Sequence, residues 1–185
     1  MEIHQICEKY GFVHPVVDQC EYNMLTRQKI EVDYVPLFEQ YGLGTTVWSP
    51  LAMGILSGKY NDGNVPPGTR FAKMANVPLL QRLYHNYIGK YTDKGTAMLQ
   101  GIAKIADEVG CTQSQLAIAW AIANRDVSSC LFGAKDTTQL DDNLIALDVS
   151  KKLNGDVLGR IEEALGNRPT PSMNWRIFTP NPPRR

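Results

Sequence analysis

The sequence predicts an α/β fold, and three observations carry that prediction. Short β-branched runs alternate with stretches of helical periodicity, an order that implies parallel strands joined by helical crossovers. Hydrophobic residues make up 43% of the chain and charged residues 21%, a balance that suits a packed core and not a disordered chain. The length of 185 residues fits one domain or a portion of a larger one.

Taken in order, the elements support that class. Ile3, Ile6, Cys7 and Tyr10 fall at i, i+3, i+4 and i+7, one face of a helix, with Gly11 as a stop. The run Val16-Val17-Asp18-Gln19-Cys20 reads as a strand. Tyr34, Leu37, Phe38 and Tyr41 repeat the helical spacing and end at Gly42 or Gly44, and Thr45-Thr46-Val47-Trp48 reads as the next strand. The stretch from Gly54 to about Pro78 is loop-like, and loops of that length are usually functional. Helices are expected over 79–87 and 92–109. Thr112-x-x-Gln115 is a capping box opening a helix over 113–124 that is apolar almost all round, so it should be buried on most sides. Ser128 to Phe132 reads as a third strand. Asp136-x-x-Gln139 caps a helix carrying Leu140, Leu144, Ile145 and Leu147, and a last helix spans 154–165 before Gly166. Val16, Val47 and Leu131 are expected on the unpartnered side of the sheet. Three parallel strands leave two exposed edges, which suggests part of something larger.

Composition and motifs exclude several classes. Lys plus Arg is 19 and Asp plus Glu is 19, a formal net charge of zero, so neither a basic nucleic-acid binder nor an acidic tail protein is expected. Cys7, Cys20, Cys111 and Cys130 form no C-x-x-C pair, and free thiols are expected. His4, His14 and His85 show no metal spacing and read as surface residues. The N-terminus lacks the pattern of a signal peptide, and the longest apolar run, 116–123, is too short to span a bilayer. The expected compartment is the cytosol. A G-x-G-x-x-G following a strand, a P-loop and a G-x-S-x-G elbow are all absent.

Polar and aromatic residues gather at the strand ends: Gln19-Cys20-Glu21-Tyr22-Asn23, Trp48-Ser49-Pro50-Leu51 and Gly133-Ala134-Lys135. Parallel α/β folds bind ligands at the carboxyl ends of their strands. Any one cluster taken alone reads better as core aromatics beside a turn. Three at corresponding ends of successive strands point to a shared site.

These segments carry a resemblance. Gln19 to Asn23, the stretch Trp48-Ser49-Pro50-Leu51-Ala52-Met53-Gly54-Ile55-Leu56-Ser57-Gly58-Lys59-Tyr60, the run Gln115 to Trp120, and Gly133-Ala134 followed by Gln139-Leu140-x-x-Asn143 resemble the aldo-keto reductase superfamily. Within it, the chain is most similar to voltage-gated potassium channel beta subunits and their plant and microbial relatives. The resemblance runs over 1–169 and implies a (β/α)8 TIM barrel, here a partial, incomplete barrel of the last three strands with their helices. Residues 1–167 would be the C-terminal portion of the reductase domain and 168–185 a Pro-rich tail, extended or disordered.

The resemblance also implies NADPH or NADP as cofactor. Gln19 would contact the nicotinamide carboxamide and Trp48 would stack on its ring. Ser49, Pro50, Leu51, Ala52, Met53 and Gly54 would follow the pyrophosphate, and Lys59 and Arg70 would close the long loop over it. Gly133, Lys135, Gln139, Asp142 and Asn143 would hold the adenosine end, where a helix N-terminus favours anions. Lys59 and Lys135 suit a 2′-phosphate, although many reductases have Arg where Gln139 stands. The chain is expected to start before the sixth strand, so the family's catalytic Asp, Tyr, Lys and His have no counterparts here. Tyr22 and Lys29 do not match the catalytic positions, and no metal site is implied. Three readings follow: the cofactor half of a carbonyl reductase acting on a small-molecule carbonyl, an auxiliary potassium-channel subunit forming a homotetramer peripheral to a membrane, or a non-catalytic remnant.

Overall fold

A computed structural model describes residues 2–73, 76–88 and 93–171. The expectations for Met1, Thr92 and the tail from 172 onward lie outside those residues. Helix α1 (Glu2–Tyr10) leads into strand β1 (Val17–Glu21). A π-helical turn (Lys29–Asp33) and α2 (Val35–Tyr41) return the chain to β2 (Gly44–Trp48). A 3-10 segment (Ala52–Ser57), α3 (Arg70–Lys73), α4 (Pro78–Tyr87), α5 (Asp93–Val109) and α6 (Gln113–Ala123) separate β2 from β3 (Ser129–Leu131). Helices α7 (Thr137–Leu144), α8 (Ala146–Ser150) and α9 (Gly155–Leu165) follow.

The three strands form a parallel sheet in the order β1-β2-β3, as their alternation with helices predicts. Register places Cys20, Val47 and Cys130 in one row, and Glu21, Trp48 and Leu131 in the next. Successive strand residues point to opposite faces, so these two rows belong to different sides. The Cys20–Val47–Cys130 side is covered by helices, and Val47 is fully buried. Burial there pushes the Cys130 thiol up to about 11, which keeps it protonated and inert at neutral pH. The other side, with Gln19, Trp48, Ser129 and Leu131, is open to solvent. The expectation that Val47 shares a side with Leu131 is therefore corrected. Val16, preceding β1, is exposed as expected.

The core lies between the sheet and helices α5, α6 and α9. Leu99 and Ile102 of α5, Leu116 of α6 and Ile161 of α9 are fully buried. Helix α5 packs on α9 closely enough that a Cβ at Gly101 would meet Ala164 Cβ at 3.2 Å, a tight contact that the small residues at both positions relieve. Helix α6 is held by its predicted capping box: the Thr112 hydroxyl accepts from Gln115 N–H while the Gln115 side chain accepts from Thr112 N–H. Its neighbours are the 3-10 segment, α5, α7 and α8. Contact on several sides explains its all-round apolar sequence.

Two helical faces differ from expectation. On α1 the buried residues are His4 and Cys7, while Ile3, Ile6 and Tyr10 are exposed. On α7 and α8 the buried residues are Asn143, Ala146 and Val149, while Leu140, Leu144, Ile145 and Leu147 face solvent. Large apolar residues normally mark the inner face. Here they mark faces that no described element covers. His4 and His14, on either side of the α1–β1 turn, are brought together: their Nδ1 atoms lie 3.3 Å apart and His4 stacks on Tyr41 with ring centroids 4.0 Å apart. Among the described residues no group of three or more metal-ligating side chains assembles, and the four cysteines are free.

Candidate functional site

A cavity of about 410 Å³ opens at the carboxyl ends of β2 and β3. Its first wall is the segment after β2: Ser49, Pro50, Leu51, Met53, Gly54, Ser57, Lys59 and Tyr60. Its second is Gly68, Thr69 and Arg70 at the start of α3, and its third is Leu131 to Lys135 with Gln139 of α7. Segments 80 residues apart in sequence thus meet because β2 and β3 are neighbours in the sheet.

The first wall has an unusual backbone. Ser49 (φ 60), Ala52 (φ 48) and Met53 (φ 58) all adopt the left-handed region, and Gly54 follows at φ 100. Non-glycine residues rarely do so, each at a cost of order 1–3 kcal/mol. Such conformations persist where the surroundings over-determine them. Here Asn23 Nδ2 donates to Ser49 O at 2.9 Å, the Ser57 hydroxyl donates to Gly54 O at 2.6 Å, and Ala52, Ile55 and Leu56 are buried beneath. The chain therefore kinks on a rigid base.

Three cations border the cavity: Lys59, Arg70 and Lys135. Among the described lining residues no Asp or Glu opposes them. Arg70 Nη1 donates to Met53 Sδ at 3.1 Å. On the third wall Asp136 caps α7 through Gln139 N–H at 2.8 Å, and the Gln139 side-chain oxygen accepts from Lys135 N–H at 2.8 Å. That pair fixes the loop at the start of α7.

Of the residues singled out from sequence, Ser49, Pro50, Leu51, Met53, Gly54, Lys59, Arg70, Gly133, Lys135 and Gln139 line this one cavity. Five do not. Gln19 is exposed on the open side of the sheet, paired with Thr46. Trp48 ends β2 on that same side, 39% exposed. Ala52 is buried under the kink. Asp142 turns to α6, where its Oδ1 and backbone carbonyl each accept from Gln115 Nε2 at 2.9 Å. Asn143 is buried, and its Nδ2 has no hydrogen-bond partner among the described residues. An unsatisfied buried donor is costly, and this one lies outside the cavity lining.

A second cavity of about 350 Å³ is lined by Tyr22, Arg27, Glu31, Trp120 and Glu162, among others. Arg27 fills much of its chemistry. Its guanidinium donates to both Glu31 oxygens at 2.9 and 2.8 Å, to Glu162 at 2.7 Å and to Asn167 Oδ1 at 3.1 Å, and it lies 5.2 Å from the Trp120 ring. Burial raises the Tyr22 hydroxyl pKa well above its ordinary value, so Tyr22 holds its proton and donates it to Glu31 at 2.8 Å. This network ties the π-helical turn to α9. The i, i+4 spacing of Arg27 and Glu31 was the sequence signal for it; Glu162 has no local signal.

Residues 1–165 match the family model described as "Aldo/keto reductase family". A probable voltage-gated potassium channel subunit beta of Arabidopsis thaliana is 39% identical over 178 residues, covering 93% of this chain and 52% of the relative. The Oryza sativa subsp. japonica protein of the same description is 38% identical over 175 residues, 95% of this chain and 51% of the relative. A putative voltage-gated potassium channel subunit beta of Schizosaccharomyces pombe is 41% identical over 170 residues, 90% of this chain and 46% of the relative. The chain spans about half the length of these curated relatives.

Proposed function

The chain belongs to the aldo/keto reductase family, and from that premise we propose that its larger cavity is the binding site for NADPH or NADP. The carrying observation is the convergence of the strained Ser49–Gly54 segment, Lys59, Arg70, Lys135 and Gln139 on one cavity with no Asp or Glu among its described lining residues. Those residues fit the group. A kinked loop brings backbone close to phosphate, and the α7 N-terminus at the cavity's third wall favours negative charge. Lys59, Arg70 and Lys135 would hold phosphates, and Gln139 and Asn143 the adenosine end. Trp48 and Gln19, at the mouth of the open sheet side, would receive the nicotinamide.

In this reading residues 1–167 are the C-terminal portion of a (β/α)8 barrel, holding its last three strands. The uncovered sheet side and edges fit that assignment. When bound, the cofactor supplies hydride for reducing an aldehyde or ketone. In this reading the chain positions it, and Tyr22 is not the proton donor. Carbonyl reduction needs an acid at the oxygen, and the Tyr22 hydroxyl is bound to Glu31 with its pKa raised.

The test is a titration of the chain with NADPH, read by indole fluorescence. Quenching is expected, and Trp48→Ala should abolish it; a response that survives in the variant removes Trp48 from the site. The chain alone should not oxidise NADPH with an aromatic aldehyde. Turnover by the chain alone would overturn its assignment as a cofactor half.

A second reading rests on the relatives, which are described as potassium channel beta subunits. The chain would then serve a channel as a cofactor-sensing, tetrameric auxiliary subunit, cytoplasmic and held at the membrane through that partner. None of the described helices is long and apolar enough to cross a membrane. Co-purification with a channel's cytoplasmic domain, dependent on the tetramer, tests it.

A further inference from the structure

Met53 is the odd residue in the cavity wall. Its backbone is left-handed at φ 58 and ψ 15, where glycine would be at ease. Its side chain lines the cavity and is half-buried. Met24 and Met98, the other methionines among the described residues, are buried. The Met53 sulfur is also occupied, since the exposed Arg70 guanidinium donates to it at 3.1 Å.

A thioether is a weak acceptor. It parks Arg70 at the cavity edge and releases it readily to a better partner, such as a phosphate. Oxidation changes that balance. Hydrogen peroxide or another peroxide transfers one oxygen to the sulfur: the sulfur lone pair attacks the distal oxygen, the O–O bond breaks, and the departing hydroxide is protonated to water. The sulfur is oxidised by two electrons and the peroxide is reduced by two. The product sulfoxide is a polar group whose oxygen accepts far more strongly than the parent sulfur.

We propose that Met53 is a reversible oxidation site whose sulfoxide holds Arg70 on the kinked loop and withdraws it from anions entering the cavity. Arg70 is one of three bordering cations, so losing it weakens binding without closing the cavity. A thiol-dependent methionine sulfoxide reductase reverses the step, removing the oxygen as water while its thiols form a disulfide. The part of the proposal concerning anions rests on the dinucleotide reading above; the Met53–Arg70 contact does not.

The experiment has an arm for each. The full chain is treated with dilute hydrogen peroxide and followed by peptide mass spectrometry. The Met53 peptide should gain one oxygen before those of Met24 and Met98; equal rates overturn the assignment. Trypsin cleaves after Arg70, so cleavage at that bond reads the contact without ligand. Oxidation should slow it several-fold, sulfoxide reductase should restore it, and Met53→Leu treated alike should show no change. Unchanged cleavage in the oxidised wild-type chain overturns the latch.

NADPH affinity is then compared before and after oxidation. A loss of about tenfold is expected, the size of one charge-assisted hydrogen bond that must be given up, and oxidised Arg70→Ala should show no further loss relative to its own unoxidised form. An equal loss in Arg70→Ala overturns the coupling. If no form binds NADPH, the cavity reading fails, and the cleavage result alone decides the contact.

Discussion

The two sides of the sheet share a backbone and differ in everything else. On the covered side Cys20, Val47 and Cys130 lie in register beneath helices, and Val47 has no solvent contact. One residue along, Glu21, Trp48 and Leu131 form an equally well-aligned row, in which Trp48 and Leu131 are exposed. Alternation along a strand usually sorts apolar residues inward and polar residues outward. Here the open row carries an indole and a leucine. The difference teaches that burial and not residue type separates the two sides, for the open side mixes Trp48 and Leu131 with Gln19 and Ser129.

The comparison breaks most sharply on stability. Arg27→Ala should cost about 3–5 kcal/mol in urea denaturation, because it leaves the partly buried Glu31 and Glu162 without their cation. Ile102→Ala in the covered core should cost about 2–5 kcal/mol. Thr112→Ala, which removes the α6 cap, should cost about 1 kcal/mol. Leu131→Ser on the open side should change stability by less than about 0.5 kcal/mol. A cost for Leu131→Ser as large as that for Ile102→Ala would mean that the open side is buried in solution.

A pH measurement sharpens the same contrast at the sheet edge. Burial pushes the Asp18 carboxyl up, but hydrogen bonds from Tyr34 at 2.9 Å and Lys29 at 3.2 Å outweigh it and hold the carboxyl below its ordinary value. A depressed acid stabilises the fold above its unfolded pKa, and that stability is lost as pH falls through the folded value. Asp18→Asn should therefore flatten the acid side of the stability curve below about pH 4. Glu21 behaves oppositely: burial raises it, against a smaller opposing effect of Asn23, so stability is lost as pH rises through its folded value. An acid limb unchanged in Asp18→Asn would remove the Asp18 contacts with Tyr34 and Lys29 from the fold's energetics.

Much of this was legible in the sequence, for identifiable reasons. Local signals sufficed where the physics is local. The capping box at Thr112 and Gln115, the stops at Gly42 and Gly166, and the three strands depend on residues a few positions apart. Ten of the fifteen singled-out site residues share a cavity because the Ser49–Lys59 motif and the Gly133–Gln139 turn follow adjacent strands. What failed was the inference from apolar spacing to burial. Leu140, Leu144 and Leu147 have helical phase, yet Asn143 and Ala146 are the buried residues, because periodicity reports an apolar face and not what covers it. Arg27 and Glu162 joined across the fold without any shared motif. The Arg70–Met53 contact was equally hidden, since nothing in sequence sets a guanidinium on a sulfur across an irregular loop.

The parallel order of the sheet also sets a timetable for assembly. The β1–β2 pair can close soon after Trp48 leaves the ribosome, but β3 joins only after a long excursion, with the Thr45 hydroxyl bonded to Asp126 O across 81 positions. Closing so long a loop is entropically slow and comes late. The cavity's first wall follows β2 and its third follows β3. A nascent or partly refolded chain that has built most of its helices therefore still lacks its pocket, so ligand capture should appear as the last kinetic phase, after helix formation is complete.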